Sequence, residues 1–221
     1  MSWINSIVNL LFKSASALFS RPGVKEVSEM VLAANSGDAD AQFNLGFSFE
    51  NGLHGLPQDH VKAVHFYKLA AAQGHALGQN NLGNYYQFGD GGLQKDHHEA
   101  ARYYKLAAAQ GNADGQLNLG AFYMNGLGGL EKDDREAARL FQLAADQGNA
   151  IAQSNLGIYL RDGLGDLPRD DYKAAHYFRL AADQGNAAAQ YNLGQFYAYG
   201  RGGLRKNDHE AYGGLTCKGR K

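Results

Sequence analysis

Cysteine is nearly missing from this sequence. Cys217 stands alone and can close no intrachain disulfide, so the fold does not depend on an oxidising compartment. Excess charge is missing too. A net charge of −1 and a pI near 6.7 exclude the broad basic footprint by which a nucleic-acid binder holds phosphates, so no nucleic-acid partner is expected. No stretch approaches the ~18 consecutive apolar residues that a transmembrane helix needs. Catalytic signatures are also lacking. No serine sits in a strand-turn-helix nucleophile motif, Cys217 has no base partner, and Gly89-Asp90-Gly91-Gly92 does not follow a strand as a phosphate cradle would. No catalytic residue, metal or cofactor is therefore assigned.

What the chain has in abundance is itself. The pair Leu-Gly appears as Leu45-Gly46, Leu82-Gly83, Leu119-Gly120, Leu156-Gly157 and Leu193-Gly194, at a constant interval of 37 residues. Such periodicity marks a stacked supersecondary unit that cannot bury its apolar face alone, so neighbouring copies close the core.

Residues 1–22 form an amphipathic helix candidate, with Trp3, Ile4, Ile7, Val8, Leu11, Ala15 and Leu18 at helical spacing. Two roles fit it: a cap on the open end of the array, or attachment to a membrane surface through residues 3–19. Arg21-Pro22-Gly23 ends it. Residues 23–212 hold the array, a half repeat at 25–37 followed by five repeats of which the last is incomplete. Residues 213–221 are a basic tail.

Each repeat reads as two antiparallel helices, A and B. In the third copy helix A runs from about Asp114 to Met124 and Gly126 ends it with positive φ. Leu130 and its counterparts Leu56, Leu93, Leu167 and Leu204 are expected to pin the A-to-B loop. Asp133 caps helix B, as do Asp59, Asp96, Asp170 and Asn207, and Glu99, Glu136 and Glu210 are placed to complete capping boxes. A glycine in mid-helix costs about 1 kcal/mol relative to alanine. Its recurrence at Gly46, Gly83, Gly120, Gly157 and Gly194 implies close approach of helix B, with Ala63, Ala100, Ala137 and Ala174 opposite and Tyr67, Tyr104, Phe141 and Phe178 beside them. The uniform amides, Gln42 to Gln190 and Asn44 to Asn192, are expected to tie one hairpin to the next.

The run AxAQxNLGxxY, a G-x-G loop, Lys-Asp and a helix ending KLAAxQGNA resemble the Sel-one-like repeats, relatives of the tetratricopeptide repeats, over residues 25–212. The resemblance implies an all-α, right-handed α-solenoid of antiparallel helix pairs. It also implies work as an adaptor or scaffold, common in bacterial signalling, envelope and host-interaction systems.

In helix A the positions that vary between copies are spaced i, i+3, i+7 and i+10 and share one face. In the tetratricopeptide relatives this face lines a concave groove for peptides. The groove expected here carries Phe43, Phe47, Asn80, Asn84, Gln87, Leu117, Met124, Ser154, Ile158, Arg161, Tyr191 and Gln195. Core positions stay fixed while a groove needs different chemistry at each step, so the variation itself points to a protein or peptide partner.

His54, His60, His97 and His98 do not make a metal set, because His60 and His97 are equivalent helix-start positions replaced elsewhere by aspartate. At the C-terminal end Gly213 and Gly214 stop the last helix B. Leu193, Phe196 and Tyr197 are then expected to lie uncovered, open to a second subunit, to the wrapped-back tail or, were the gene truncated, to solvent. The expected function is a non-enzymatic interaction scaffold. Its rivals are a hydrolase of the kind attributed to some family members and a membrane-associated regulator. The expected location is cytoplasmic, with membrane association or export as alternatives.

Overall fold

The computed structural model describes residues 24–212, and the N-terminal segment 1–22 and the tail 213–221 lie outside them. All regular structure among the described residues is helical: α1 Val24–Asn35, α2 Ala39–Asn51, α3 His60–Ala72, α4 Ala76–Phe88, α5 His97–Ala109, α6 Ala113–Asn125, α7 Asp134–Asp146, α8 Ala150–Asp162, α9 Asp171–Asp183, α10 Ala187–Tyr199 and α11 Asp208–Tyr212. Helices α2, α4, α6, α8 and α10 are the A helices, and the odd-numbered ones the B helices.

The boundaries follow from local chemistry. Asn149 caps α8 by accepting the Ile151 and Ala152 amides, and the equivalents Asp38, His75, Asn112 and Asn186 do the same for the other A helices. Gly126 closes α6 at φ 64°, a conformation that glycine adopts without a Cβ penalty, and the following Leu127 amide reaches back to the Phe122 carbonyl at 3.0 Å.

Helix B starts as expected on one side only. Asp133 accepts the Arg135 and Glu136 amides, but the reciprocal half of the capping box is not made. The Asp133 amide donates instead to the Tyr123 carbonyl at 3.0 Å, and Asp96 and Asn207 donate in the same way to Tyr86 and Tyr197. With its target taken, Glu136 turns to Arg139 at 2.6 Å and Glu99 to Arg102 at 2.8 Å. The A-to-B connection is thus closed by a backbone bond to helix A. The loop leucines Leu56, Leu93, Leu130, Leu167 and Leu204 are half-buried, less deep than their recurrence suggests.

The chain divides into two compact units, residues 1–107 and 108–221. In the first, Val27, Leu45, Phe49, Phe66, Tyr67, Leu82 and Tyr85 form one core. In the second, Phe141, Leu156, Tyr159, Phe178, Leu193 and Phe196 form another. The glycine in the middle of α2, α4, α6 and α8 is explained by a ring. A Cβ on Gly157 would stand 2.7 Å from Phe178 Cε1, and one on Gly46 would stand 2.9 Å from the Tyr67 ring. The alanines opposite are buried, yet the close partner is the aromatic: Tyr67, Tyr104, Phe141 and Phe178 are each 0% exposed. Burying a ring of this size contributes roughly 1.5–3 kcal/mol, more than the ~1 kcal/mol lost by placing glycine in a helix.

The glutamine column joins successive hairpins. Gln153 is buried; its Nε2 donates to the Ala145 carbonyl of the preceding helix at 3.3 Å, and its Oε1 accepts from Gln184, the C-cap of the following helix B, at 2.9 Å. Gln42 makes the same pair of bonds to Ala34 and Gln73 in the first unit.

The end of the second unit differs from expectation. Leu193 and Phe196 are 2% and 1% exposed. The short α11 packs on α10, with the Ala211 carbonyl 2.8 Å from where a Gly194 Cβ would be. Phe178 meets Phe196 edge-on at 5.5 Å, and the Arg201 guanidinium lies 4.7 Å from its centroid. Leu193 and Phe196 are therefore covered within the chain and Tyr197 is half-buried, while the glycines expected to stop the helix lie outside the described residues.

Candidate functional site

The variable face of the A helices carries different chemistry in the two units. In the first unit Phe43 is half-buried, stacked on His75 at 4.7 Å and tilted against Tyr67 at 5.8 Å. Phe47 stacks on Phe43 at 6.3 Å and remains 43% exposed. Asn84 and Gln87 converge on the Tyr104 hydroxyl, with Oδ1 at 2.7 Å and Oε1 at 2.6 Å. A hydroxyl has one proton, so one of these amides accepts it and the other turns its NH2 group to the oxygen. In the second unit Met124 and Ile158 pack against the core as half-buried side chains. Arg161 is clamped, donating to Asn192 Oδ1 at 2.8 Å and to the Asp162 carboxylate at 2.6 Å. That hydrogen bond raises the Arg161 pKa and holds Asp162 below its usual value. Gln195 is half-buried and Tyr191 exposed.

Three of the expected contacts are corrected. Asn80, Leu117 and Ser154 are 4%, 8% and 2% exposed. They share the fifth position of their helices, about 60–80° round the axis from the most open positions, and are turned into the packing. Ser154 Oγ is buried with no hydrogen-bond partner among the described residues. Tyr191 occupies the same position but is open, because no further A helix stacks beyond α10 among the described residues.

The surface that does face outward is widest at the second and last positions of each A helix. Leu77 and Ile151, on the expected stripe but outside the twelve, are 41% and 54% exposed. Phe88 and Tyr199, at the C-terminal ends of α4 and α10, are 71% and 72% exposed and were missed altogether. Their signal is in the repeat alignment: aromatics stand where other copies have Asn51, Asn125 and Asp162.

Part of the stripe's variation has an internal cause. Where helix B carries tyrosine, the adjoining A helix supplies polar partners: Glu50 accepts from the Tyr67 hydroxyl at 2.5 Å, and Asn84 and Gln87 meet Tyr104. Where helix B carries Phe141 or Phe178, the corresponding residues are Ala121 with Met124 and Ile158 with Arg161. Burial first, and in Tyr67 the Glu50 hydrogen bond second, pushes the Tyr67 and Tyr104 hydroxyls well above their usual pKa.

One cluster has the composition of a hydrolytic triad. Ser48 Oγ lies 3.2 Å from His54 Nδ1, and His54 Nε2 lies 3.8 Å from Glu26. Its geometry opposes that use. The Asn44 carbonyl, at 2.8 Å, is a nearer acceptor for the single Ser48 hydroxyl proton than His54 at 3.2 Å. Ser48 is also 1% exposed, closed to any substrate. Among the described residues no three His, Cys, Asp or Glu side chains form a metal-binding group, and no helix is long and apolar enough to cross a membrane.

Tandem helical hairpins of constant length, tied to their neighbours within each unit through buried amides, define an α-solenoid repeat protein. The sequence matches the Sel1 repeat at residues 39–75, 76–112, 113–149, 150–186 and 187–213, and the chain belongs to this family. Among solved structures it is similar to a protective antigen of uropathogenic Escherichia coli displaying an SLR fold, at 31% identity and a TM-score of 0.74 over 91% of this chain. The chain spans 42% of that protein's length. It is also similar to a Sel1 repeat protein from Oxalobacter formigenes, at 30% identity and a TM-score of 0.68, covering 80% of this chain and 71% of the other. A Sel1 repeat protein from Klebsiella pneumoniae shares the fold at 24% identity and a TM-score of 0.53, covering 86% of this chain and 88% of the other. No curated protein matches the sequence. Proteins built from Sel1 repeats generally serve as protein-interaction scaffolds.

Proposed function

We propose that this chain is a non-enzymatic scaffold that takes a peptide segment or partner domain on the outward face of its A helices. The observation that carries this reading is the placement of large apolar side chains. Phe47, Leu77 and Phe88 in the first unit, and Ile151, Tyr191 and Tyr199 in the second, stand open on the A helices, while Leu45, Phe49, Leu82, Phe122, Leu156 and Phe196 on the same helices are packed. Open aromatic and aliphatic anchors of this kind are the usual energetic centres of a protein interface. Polar groups flank them, with Asn44 exposed and Asn81 half-buried in the first unit. Such amides suit the backbone of a bound segment.

The test is affinity capture with quantitative mass spectrometry, comparing the wild-type chain with a Phe47→Ala, Phe88→Ala, Ile151→Ala variant. The variant keeps the wild-type melting temperature and loses the captured partners. Retention of the same partners at the same abundance contradicts the assignment.

A further inference from the structure

The same face carries an electrical preference. Helices α2 and α4, ADAQFNLGFSFEN and ALGQNNLGNYYQF, hold no lysine or arginine. They do hold two carboxylates, Asp40 and Glu50. The Asp40 side chain is 84% exposed, 3.2 Å from His75 Nε2, beside the Phe43–Phe47 stack that rests on the same histidine. Glu50 accepts from the Tyr67 hydroxyl, which supplies no compensating positive charge. The basic residues of these hairpins lie elsewhere: Lys62 on α3 pairs with Asp59, and Arg102 on α5 pairs with Glu99. A carboxylate or phosphate docked here would meet like charge and find no lysine or arginine on either helix, the neighbouring His75 being already paired with Asp40. A lysine or arginine would find Asp40 open, and an apolar neighbour in the same segment would find Phe47 two turns along the same helix face.

We propose that the α2–α4 face of the first unit receives a peptide segment combining apolar side chains with lysine or arginine, and rejects acidic segments. The inference rests on the scaffold reading above and names the partner class. The second unit shows the same polarity within itself. Its A helices carry Asp114 and Asp162 against a single cation, Arg161, which Asp162 and Asn192 already hold.

A phage-displayed library of random twelve-residue peptides, selected on the full chain, tests this. The expected result is an enriched pool in which the ratio of Lys plus Arg to Asp plus Glu rises about threefold or more over the unselected pool. The bias should disappear on Asp40→Lys, and enriched clones should weaken about tenfold or more on Phe47→Ala, the usual scale for losing an interface anchor. Both variants are checked for an unchanged melting temperature. Enriched peptides with no charge bias or an acidic one, still lost on Phe47→Ala, overturn the charge inference and leave the binding face standing. Clones indifferent to Phe47→Ala, or no enrichment, overturn both.

Discussion

The Phe141 ring closes over Gly120 so tightly that a Cβ on Gly120 would stand 2.8 Å from Cε1 and 3.0 Å from Cδ1. The glycine is in a helix interior, where intrinsic propensity opposes it, and the ring is 0% exposed. Replacing Gly120 with leucine forces the two helices of the hairpin apart. The expected loss is about 3 kcal/mol or more, at the upper end for overpacking a closed core. Thermal or urea unfolding reads it directly, and an unchanged midpoint would disprove the packing role.

Buried Gln153 bonds the hairpin before it and the hairpin after it. Gln153→Ala removes both bonds between hairpins, while the exposed Gln184 amide keeps the Leu180 carbonyl and the Ala145 carbonyl keeps the Gly148 amide. A destabilisation of about 1–2 kcal/mol is expected for losing two hydrogen bonds with no buried group left unpaired. Urea denaturation checks it, with exposed Asn125→Ala as the neutral control.

Ser154 is the opposite case, a buried hydroxyl with no bond to lose. Ser154→Ala is expected to stabilise the protein by about 1 kcal/mol, since the penalty of burying an unpaired hydroxyl disappears. A lower melting temperature for the variant would show that the hydroxyl has a partner in solution.

The match between helix B tyrosines and A-helix polar groups can be transplanted. Phe141→Tyr, equivalent to Tyr104, brings a hydroxyl toward Ala121 and Met124, which cannot bond it as Asn84 and Gln87 bond Tyr104. The single variant should lose about 1–2 kcal/mol, and adding Met124→Gln should recover most of it, a coupling that a double-mutant cycle measures. Additive effects would show that the two positions are independent.

Asp171 receives both arms of Arg201, at 2.8 and 3.0 Å, and this hydrogen bonding holds its carboxyl below the usual value of 3.8. A depressed folded-state pKa gives stability that is fully present above the unfolded value and is lost as the pH falls through the folded one. The difference in stability between wild type and Asp171→Asn should therefore be largest near neutral pH and shrink below about pH 4. A difference that persists unchanged into strong acid would assign the effect to packing instead of charge.

Much of this architecture is legible in the sequence because it repeats. The constant interval between Leu45-Gly46 and its copies, the Asp caps of helix B and the glycine ends of helix A each depend on local chemistry, and each falls where the sequence places it. The glutamine column was legible for the same reason. What was not legible depends on the neighbouring copy. Leu117 and Ser154 vary as a binding residue would, yet their position on the helix turns them into the packing, and only the placement of adjoining helices reveals this. The capping boxes failed because the Asp133 amide is taken by a carbonyl in helix A, a partner outside the motif. Phe88 and Tyr199 went unseen because they sit one residue beyond the stripe's last position, where a helical face is judged by a fraction of a turn.

The central claim is that the A-helix face is where a partner sits. Backbone amide NMR, following the full chain as a peptide from the phage selection is added, tests it most directly. The account predicts that shifts concentrate on residues 40–51 and 77–88, with Phe47→Ala abolishing them. Shifts confined to the outward faces of α3 and α5, around Lys68 and Arg102, would contradict it.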